Sequence, residues 1–216
     1  MIIATVCRSG GDFDPSWVHA LRRGLNVWAP KGFRFVALTD MDCGIWRVPL
    51  IHEWRGWWAK MELFRPGLFH TGERVLYMDL DTLPVGDLTD LCAYDGPFAV
   101  LEDFYTPSFI GSGVMAWTVS KQTEAIYHSY AEDPVTRGRD EHMILRQFPD
   151  PDRWQNIRPG QCVSLKPRRG PDPIKHGAPP GARLVCGHGQ PRLSDPRAGW
   201  AHRLWRDRVN GRRVAA

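Results

Sequence analysis

The chain has 216 residues, 43% hydrophobic and 24% charged, with a net charge of +4, which suits one compact globular domain or a domain with a modest appendage. No apolar run approaches the ~20 residues of a membrane span. The five scattered cysteines (Cys7, Cys43, Cys92, Cys162, Cys186), with no C-x-x-C, argue against a disulfide framework or structural zinc and for a reducing cytoplasm.

Met1–Gly11, MIIATVCRSGG, turns polar too soon for a signal peptide and reads as a first strand, Ile2–Val6, with a polar loop after it. Ser16–Val27 has helical spacing, with Trp17, Val18, Leu21 and Leu25 on one face and Pro15 before it. Phe33–Leu38 reads as a strand ending at Thr39-Asp40, Val48–Ile51 as a brief third, and Trp57–Phe64 as a helix with Trp58 and Met61 inward. Strands follow at Val75–Leu80, at Phe98–Leu101 before Glu102-Asp103, and at Val114–Thr118, the last introduced by Gly111-Ser112-Gly113. Helices are expected from Ser120 to Tyr130 and from Asp140 to Gln147. KPRRGPDPIKHGAPPG reads as a loop, and Arg183–Cys186 as a last strand leading into GHGQPR. From Arg153 onward there are 14 Lys/Arg against 3 acids, a net +11, whereas residues 1–152 are net −7. This basic part reads as help in binding a diphosphate, a nucleic acid or an anionic glycan, and its last residues, from Arg203, equally as a solvated basic tail.

Strands alternating with helices predict an α/β fold with a mainly parallel sheet, whose ligands bind beyond the carboxyl ends of the strands. Cys7–Asp12, Asp40, Asp79/Asp81, Glu102/Asp103 and His188 all fall just past such ends. In VLYMDLDTLPV the carboxylates Asp79 and Asp81 close an apolar run, where a charge needs a partner or a cation. Two aspartates suit Mg²⁺ or Mn²⁺, and a histidine joining them favours Mn²⁺. His188 lies between Gly187 and Gly189, so its backbone can approach a ligand. Each feature has a plainer reading: a capped strand end for Asp79 and Asp81, a loop histidine for His188, a solvated helix lysine for Lys60. Glu102-Asp103 can be a loop pair, and Asp140-Glu141 can complement a helix dipole. Cys7 reads as a small buried residue rather than a reactive thiol. Among the ten Trp, the cluster at Trp46, Trp54, Trp57 and Trp58 reads as core, with an exposed Trp57 as a surface for an acceptor sugar.

VLYMDLDTLPVGDL resembles the metal-binding segment of GT-A-fold glycosyltransferases, above all the family-eight group (glycogenin-like and lipopolysaccharide galactosyltransferase-like). WWAKMELF is similar to the helix before that motif, FIGSGVMAW to the family's N-S-G-V segment, DEHMIL to its D-Q-x-x-L and CGHGQPR to its H-x-G-x-x-K-P-W, in family order from Met1 to Arg192. The resemblance implies a Rossmann-like GT-A catalytic domain over residues 1–216 and a nucleoside-diphosphate sugar donor, UDP by family habit. It implies a Mn²⁺ (or Mg²⁺) held by Asp79, Asp81 and His188. Cys7 with nearby backbone, Asp12 and Asp40 would line the nucleoside, Leu80 would sit between the metal ligands, and Lys60 and Arg192 would neutralise the diphosphate. Glu102, Asp103, Asp140 and Glu141 would hold sugar and acceptor hydroxyls, with retention at the anomeric carbon and an acceptor left open among glycan, small molecule, protein and nucleic acid. The chain departs at Gly111 for Asn, Glu141 for Gln, and Pro191-Arg192 for Lys-Pro-Trp. D-L-D-T also fits a haloacid-dehalogenase-like phosphatase, although that family places it in the first strand, and the basic C-terminal part admits a nucleic-acid-binding module or a nucleic-acid-directed transferase.

Overall fold

The computed structural model describes residues 1–134, 137–166 and 176–212. Its larger sheet has seven strands: β1 (Ile2–Cys7), β2 (Arg34–Thr39), β3 (Arg47–Val48), β4 (Arg74–Met78), β6 (Phe98–Glu102), β7 (Ile110–Thr118) and β8 (Asp152–Arg153), in the order β3-β2-β1-β4-β7-β6-β8. β7 alone runs against its neighbours β4 and β6, and every other pairing is parallel. The carboxyl ends of β1, β2, β4 and β6 therefore share one edge, where the polar clusters of the sequence fall.

Both faces of this sheet are covered, which explains strands that are apolar at nearly every position. Ile3 and Cys7 of β1 pack with Trp17, Leu21 and Leu25 of the helix Pro15–Trp28, whereas Ile2 and Ala4 pack on the opposite face. That opposite face is closed by Trp58, Met61 and Phe64, by Ile126 and Tyr130 of the helix Lys121–Ala131, and by Met143 and Ile144 of the helix Glu141–Gln147. Helix starts follow local chemistry. Asp14 accepts the Ser16 N–H at 2.8 Å ahead of Pro15, and Ser120 and Thr123 form a reciprocal cap.

Four differences from the sequence reading matter for the site. Gly56–Phe64 is a 3₁₀ helix, not an α-helix, and its three-residue period puts Trp57 and Lys60 on one face. β4 ends at Met78, so Asp79 stands just outside the strand in a turn closed by Thr82 N–H donating to Asp79 C=O at 3.0 Å. Gly111-Ser112-Gly113 lies within β7 rather than before it. A second, three-stranded sheet, β5 (Thr82–Pro84), β9 (Cys162–Ser164) and β10 (Leu184–Cys186) in the order β5-β10-β9, has only β10 legible in the sequence. It carries the chain from Asp81 on one side and to His188 on the other.

The C-terminal segment is not a solvated tail. Trp200–Val209 is a helix packed on Pro15–Trp28, with Trp205 against Trp17 at 4.8 Å between ring centroids. Arg208, only 4% exposed, donates to the Pro84 carbonyl at 2.6 Å and fills the space over Gly24. Residues 213–216, and 167–175 of the predicted Pro/Gly/Arg loop, lie outside the described residues.

Candidate active site

The carboxyl edge opens into a cleft of about 890 Å³ whose walls include Arg8–Phe13, Glu53, Arg55–Trp57, Lys60, Asp79–Asp81, Arg139–Glu141, His188 and Arg192. A side chamber of about 210 Å³ continues from Asp79 and Asp81 between Glu102–Tyr105, Gly111–Gly113 and His188.

The Asp79-Leu80-Asp81 turn is fixed by backbone. Asp79 N–H donates to Gly113 C=O at 2.8 Å, and Gly187 N–H donates to Asp81 C=O at 2.7 Å. A Cβ on Gly187 would lie 2.8 Å from that Asp81 oxygen, so glycine is required there by the turn beneath it rather than by a ligand. Gly113 likewise leaves room for Asp79, since a Cβ would come within 3.3 Å of Asp79 Oδ2. Leu80 turns its side chain into the core.

Each carboxylate meets a cation. Lys60, 8% exposed, places Nζ 3.0 Å from Asp79 Oδ1, 3.0 Å from Ser112 Oγ and 3.5 Å from Asp140 Oδ2. Ser112 in turn donates to Asp140 at 2.7 Å, and the Tyr77 hydroxyl donates to Asp79. Burial alone would favour neutral Lys60, but Asp140 and Asp79 outweigh it and hold the ammonium protonated. Lys60 is thus a buried ion-pair residue, not a solvated one. Asp81, 6% exposed, is pushed up to about 7 by burial and by the charge of Asp79, against the pull of Arg192, whose Nη1 donates to Asp81 Oδ2 at 2.9 Å. The same guanidinium reaches Asp12 at 2.6 Å and lies 5.1 Å from the Phe13 ring centre.

His188 lies between Phe104 and Tyr105, with Nε2 2.6 Å from Ser164 Oγ. Burial, with the Lys166 charge nearby, lowers its pKa to about 4, so the imidazole is neutral at pH 7. Asp79, Asp81 and His188 line one side chamber, yet among the described residues no three His, Cys, Asp or Glu side chains converge closely enough to cage a metal ion. In chemistry, two carboxylates and a neutral imidazole fit a divalent cation, and so does a buried Asp81 disfavoured in its charged form by a second carboxylate. Arg192 holds Asp81 through Oδ2.

The other expected residues divide. Asp12 lines the cleft. Asp40 does not line it; it accepts the Ser9 N–H at 2.8 Å and the Ser9 hydroxyl, so it braces the loop that does. Cys7 is fully buried in the core with its thiol pushed up to about 12 by desolvation; the pleat turns Val6 and Arg8, not Cys7, to the cleft. Asp103 caps a turn, accepting from Tyr105 and Thr106 N–H at 2.9 Å, and pairs with Arg139 at 3.1 Å. Glu141, raised by burial and by Asp140, is gripped by Arg139 at 3.1 Å. Glu102 lines the side chamber, its backbone locked to the Gln155 amide.

Three functional groups were missed in the sequence. Arg8 ties the cleft wall together by donating to His52 C=O at 2.9 Å and pairing with Glu53 at 2.7 Å. Arg139 joins Asp103 to Glu141, and its position directly before Asp140-Glu141 was the available signal. Glu62, fully buried, accepts the Ile51 and His52 N–H at 2.8 and 2.9 Å and so holds the loop carrying Glu53 and Arg55. Trp57 stands 53% exposed at the cleft mouth, unlike its buried neighbour Trp58.

The galactosyltransferase LgtC, solved in complex with donor and acceptor sugar analogues, superposes with a TM-score of 0.68 at 13% identity, over 100% of this chain and 98% of its own. The fold is that of a GT-A glycosyltransferase. GlyE, a glycosyltransferase of Streptococcus pneumoniae TIGR4, superposes with a TM-score of 0.64 at 16% identity over 97% of this chain. The bifunctional glycosyltransferase WbbM does so with a TM-score of 0.66 at 11% identity over 96%. The chain spans 62% of GlyE and 49% of WbbM. No protein-family profile matches the chain, and no curated protein is significantly similar to it in sequence. Among the described residues no helix is long and apolar enough to cross a membrane.

Proposed function

We propose that the protein is a glycosyltransferase that moves a sugar from a nucleoside-diphosphate donor, UDP-linked, to a glycan or other hydroxyl acceptor. The observation that carries this reading is the Asp79-Leu80-Asp81 turn at the carboxyl edge of a GT-A fold, facing Lys60 and Arg192 across one cleft. Asp79, Asp81 and the neutral His188 would hold Mn²⁺ or Mg²⁺, which when bound would neutralise charge building on the departing diphosphate. Lys60 and Arg192 would add fixed positive charge on the same group. The Arg8–Asp12 loop, braced by Asp40, would line the nucleoside, with Cys7 supporting it from the core.

Asp103, Asp140 and Glu141 are each held in an ion pair, which supports orienting sugar and acceptor hydroxyls over acting as a free base, and with it retention at the anomeric carbon. The chain acts as one catalytic unit, and its five free, buried cysteines suit a reducing cytoplasm. A nucleic-acid acceptor is not favoured, because key cations of the basic C-terminal part are used internally: Arg192 on Asp81 and Asp12, Arg208 on Pro84. The phosphatase reading is not favoured either, since the D-x-D motif follows the fourth strand of a GT-A sheet, not the first.

The test is release of nucleoside diphosphate from a panel of UDP-, GDP- and CDP-sugars, with Mn²⁺ or with EDTA, and NMR of the released or transferred sugar to read its anomeric configuration. Metal-dependent release from a UDP-sugar is expected. No release from any donor would remove the proposal.

A further inference from the structure

Arg192 bridges two loops that line the cleft, those following β1 and β4. Nη1 holds Asp81 at 2.9 Å, Nη2 holds Asp12 at 2.6 Å, and the buried Nε has no acceptor among the described residues. A guanidinium presents its donors in a rigid fork that satisfies a carboxylate or a phosphate, so an orphaned Nε marks a fork not fully used. Asp81 is almost wholly buried beside a second, partly exposed carboxylate, and burying its charge without a positive partner is costly.

We infer that Arg192 is an internal counter-ion that competes with the divalent cation for Asp81, so that metal and nucleotide diphosphate bind cooperatively. The inference rests on the reading that a divalent ion binds Asp79 and Asp81. Without nucleotide, the ion must displace Arg192 from Asp81 and bear the repulsion of a nearby positive charge. With a diphosphate present, the Nη1 displaced from Asp81 gains a phosphate oxygen as its acceptor, and the charge becomes an asset. Each ligand therefore strengthens the other by the same factor. Phe13 and Asp12 keep the guanidinium at the cleft during the exchange. Lys60 is not placed to act this way, because Ser112 and Asp140 tether its ammonium beside Asp79.

The experiment titrates Mn²⁺ into the full chain, reading free Mn²⁺ by electron paramagnetic resonance, without nucleotide and at saturating UDP. Wild type, Arg192→Gln and Arg192→Lys are compared, with melting curves confirming that each is folded. Without nucleotide, Arg192→Gln is expected to bind Mn²⁺ roughly tenfold more tightly than wild type, since a partly buried ion pair no longer has to be broken. UDP then tightens Mn²⁺ binding less in the variant than in wild type. Arg192→Lys, which keeps the charge but cannot fork to Asp81 and Asp12 at once, is expected to fall between them and serves if the Gln variant does not fold. Equal or weaker nucleotide-free Mn²⁺ binding by the variants overturns the inference while leaving the metal site standing. No Mn²⁺ binding by any protein, with or without UDP, overturns the metal reading and this inference together.

Discussion

Lys60→Met keeps the volume of the buried stem and removes only the charge. Asp79 and Asp140 then lose their shared cation, and Ser112 Oγ loses a donor at 3.0 Å. Breaking a buried pair by deleting one partner costs about 3–5 kcal/mol, and Asp79, with 29% of its side chain exposed, keeps some solvation, so about 3 kcal/mol is expected. For a chain of this size that lowers Tm by roughly 6–12 °C. Differential scanning calorimetry in EDTA reads this directly. Added Mn²⁺ restores part of the loss, because an ion at Asp79 replaces the missing charge, while UDP affinity in Mn²⁺ stays below wild type. A Lys60→Met protein with unchanged Tm and unchanged UDP affinity would show Lys60 to be an ordinary helix lysine.

Gly187→Ala forces a Cβ to 2.8 Å from the Asp81 carbonyl and 3.1 Å from Leu193; a loss of about 1–3 kcal/mol by urea unfolding is expected, with weakened metal-dependent UDP binding. His188→Ala weakens Mn²⁺ more than Mg²⁺, as titration of each ion with UDP present would show. In EDTA, two opposed titrations share one window. The folded His188 pKa, about 4 against 6.5, gives stability that is present above 6.5 and lost as pH falls toward 4. The folded Asp81 pKa, about 7 against 3.8, gives stability that is present below 3.8 and lost as pH rises toward 7. Tm between pH 4 and 7 should therefore fall on acidification in Asp81→Asn and rise in His188→Gln, with wild type flatter than either. Deleting residues 200–216 uncovers Trp17 and removes Arg208 from Pro84, so the truncated chain should melt well below wild type, whereas a mere basic tail would leave Tm unchanged.

β1, β2, β4 and β6 of the larger sheet, and β10 of the smaller, were legible because they are apolar runs bounded by turn residues, the pattern of buried strands. β5 was hidden by Pro84 and by its length of three residues; β9 is equally short and β8 has only two residues. The helix Trp200–Val209 was read as tail because four of its ten residues are charged; its packing face includes an arginine, Arg208, that only its place beside Gly24 and Pro84 explains. At the site, residue type at a strand end located Asp12, Asp79, Asp81 and His188 around one cleft. It could not say which way Cys7 faces, since pleat parity depends on which layer lies on which side. Nor could it show that Asp103 and Asp40 spend their oxygens on neighbouring backbone. Arg8 pairs with Glu53, 45 residues away, and Arg192 with Asp81 and Asp12, 111 and 180 residues away, which no local spacing reveals.

The most direct measurement is calorimetric titration of UDP into wild type and Asp81→Ala, first with Mn²⁺ and then with EDTA. Binding by wild type in Mn²⁺, abolished both by EDTA and by Asp81→Ala, is the expected result. Absence of metal-dependent binding of UDP, repeated with GDP and CDP, or full binding by Asp81→Ala, would contradict a nucleotide-sugar site built on this turn.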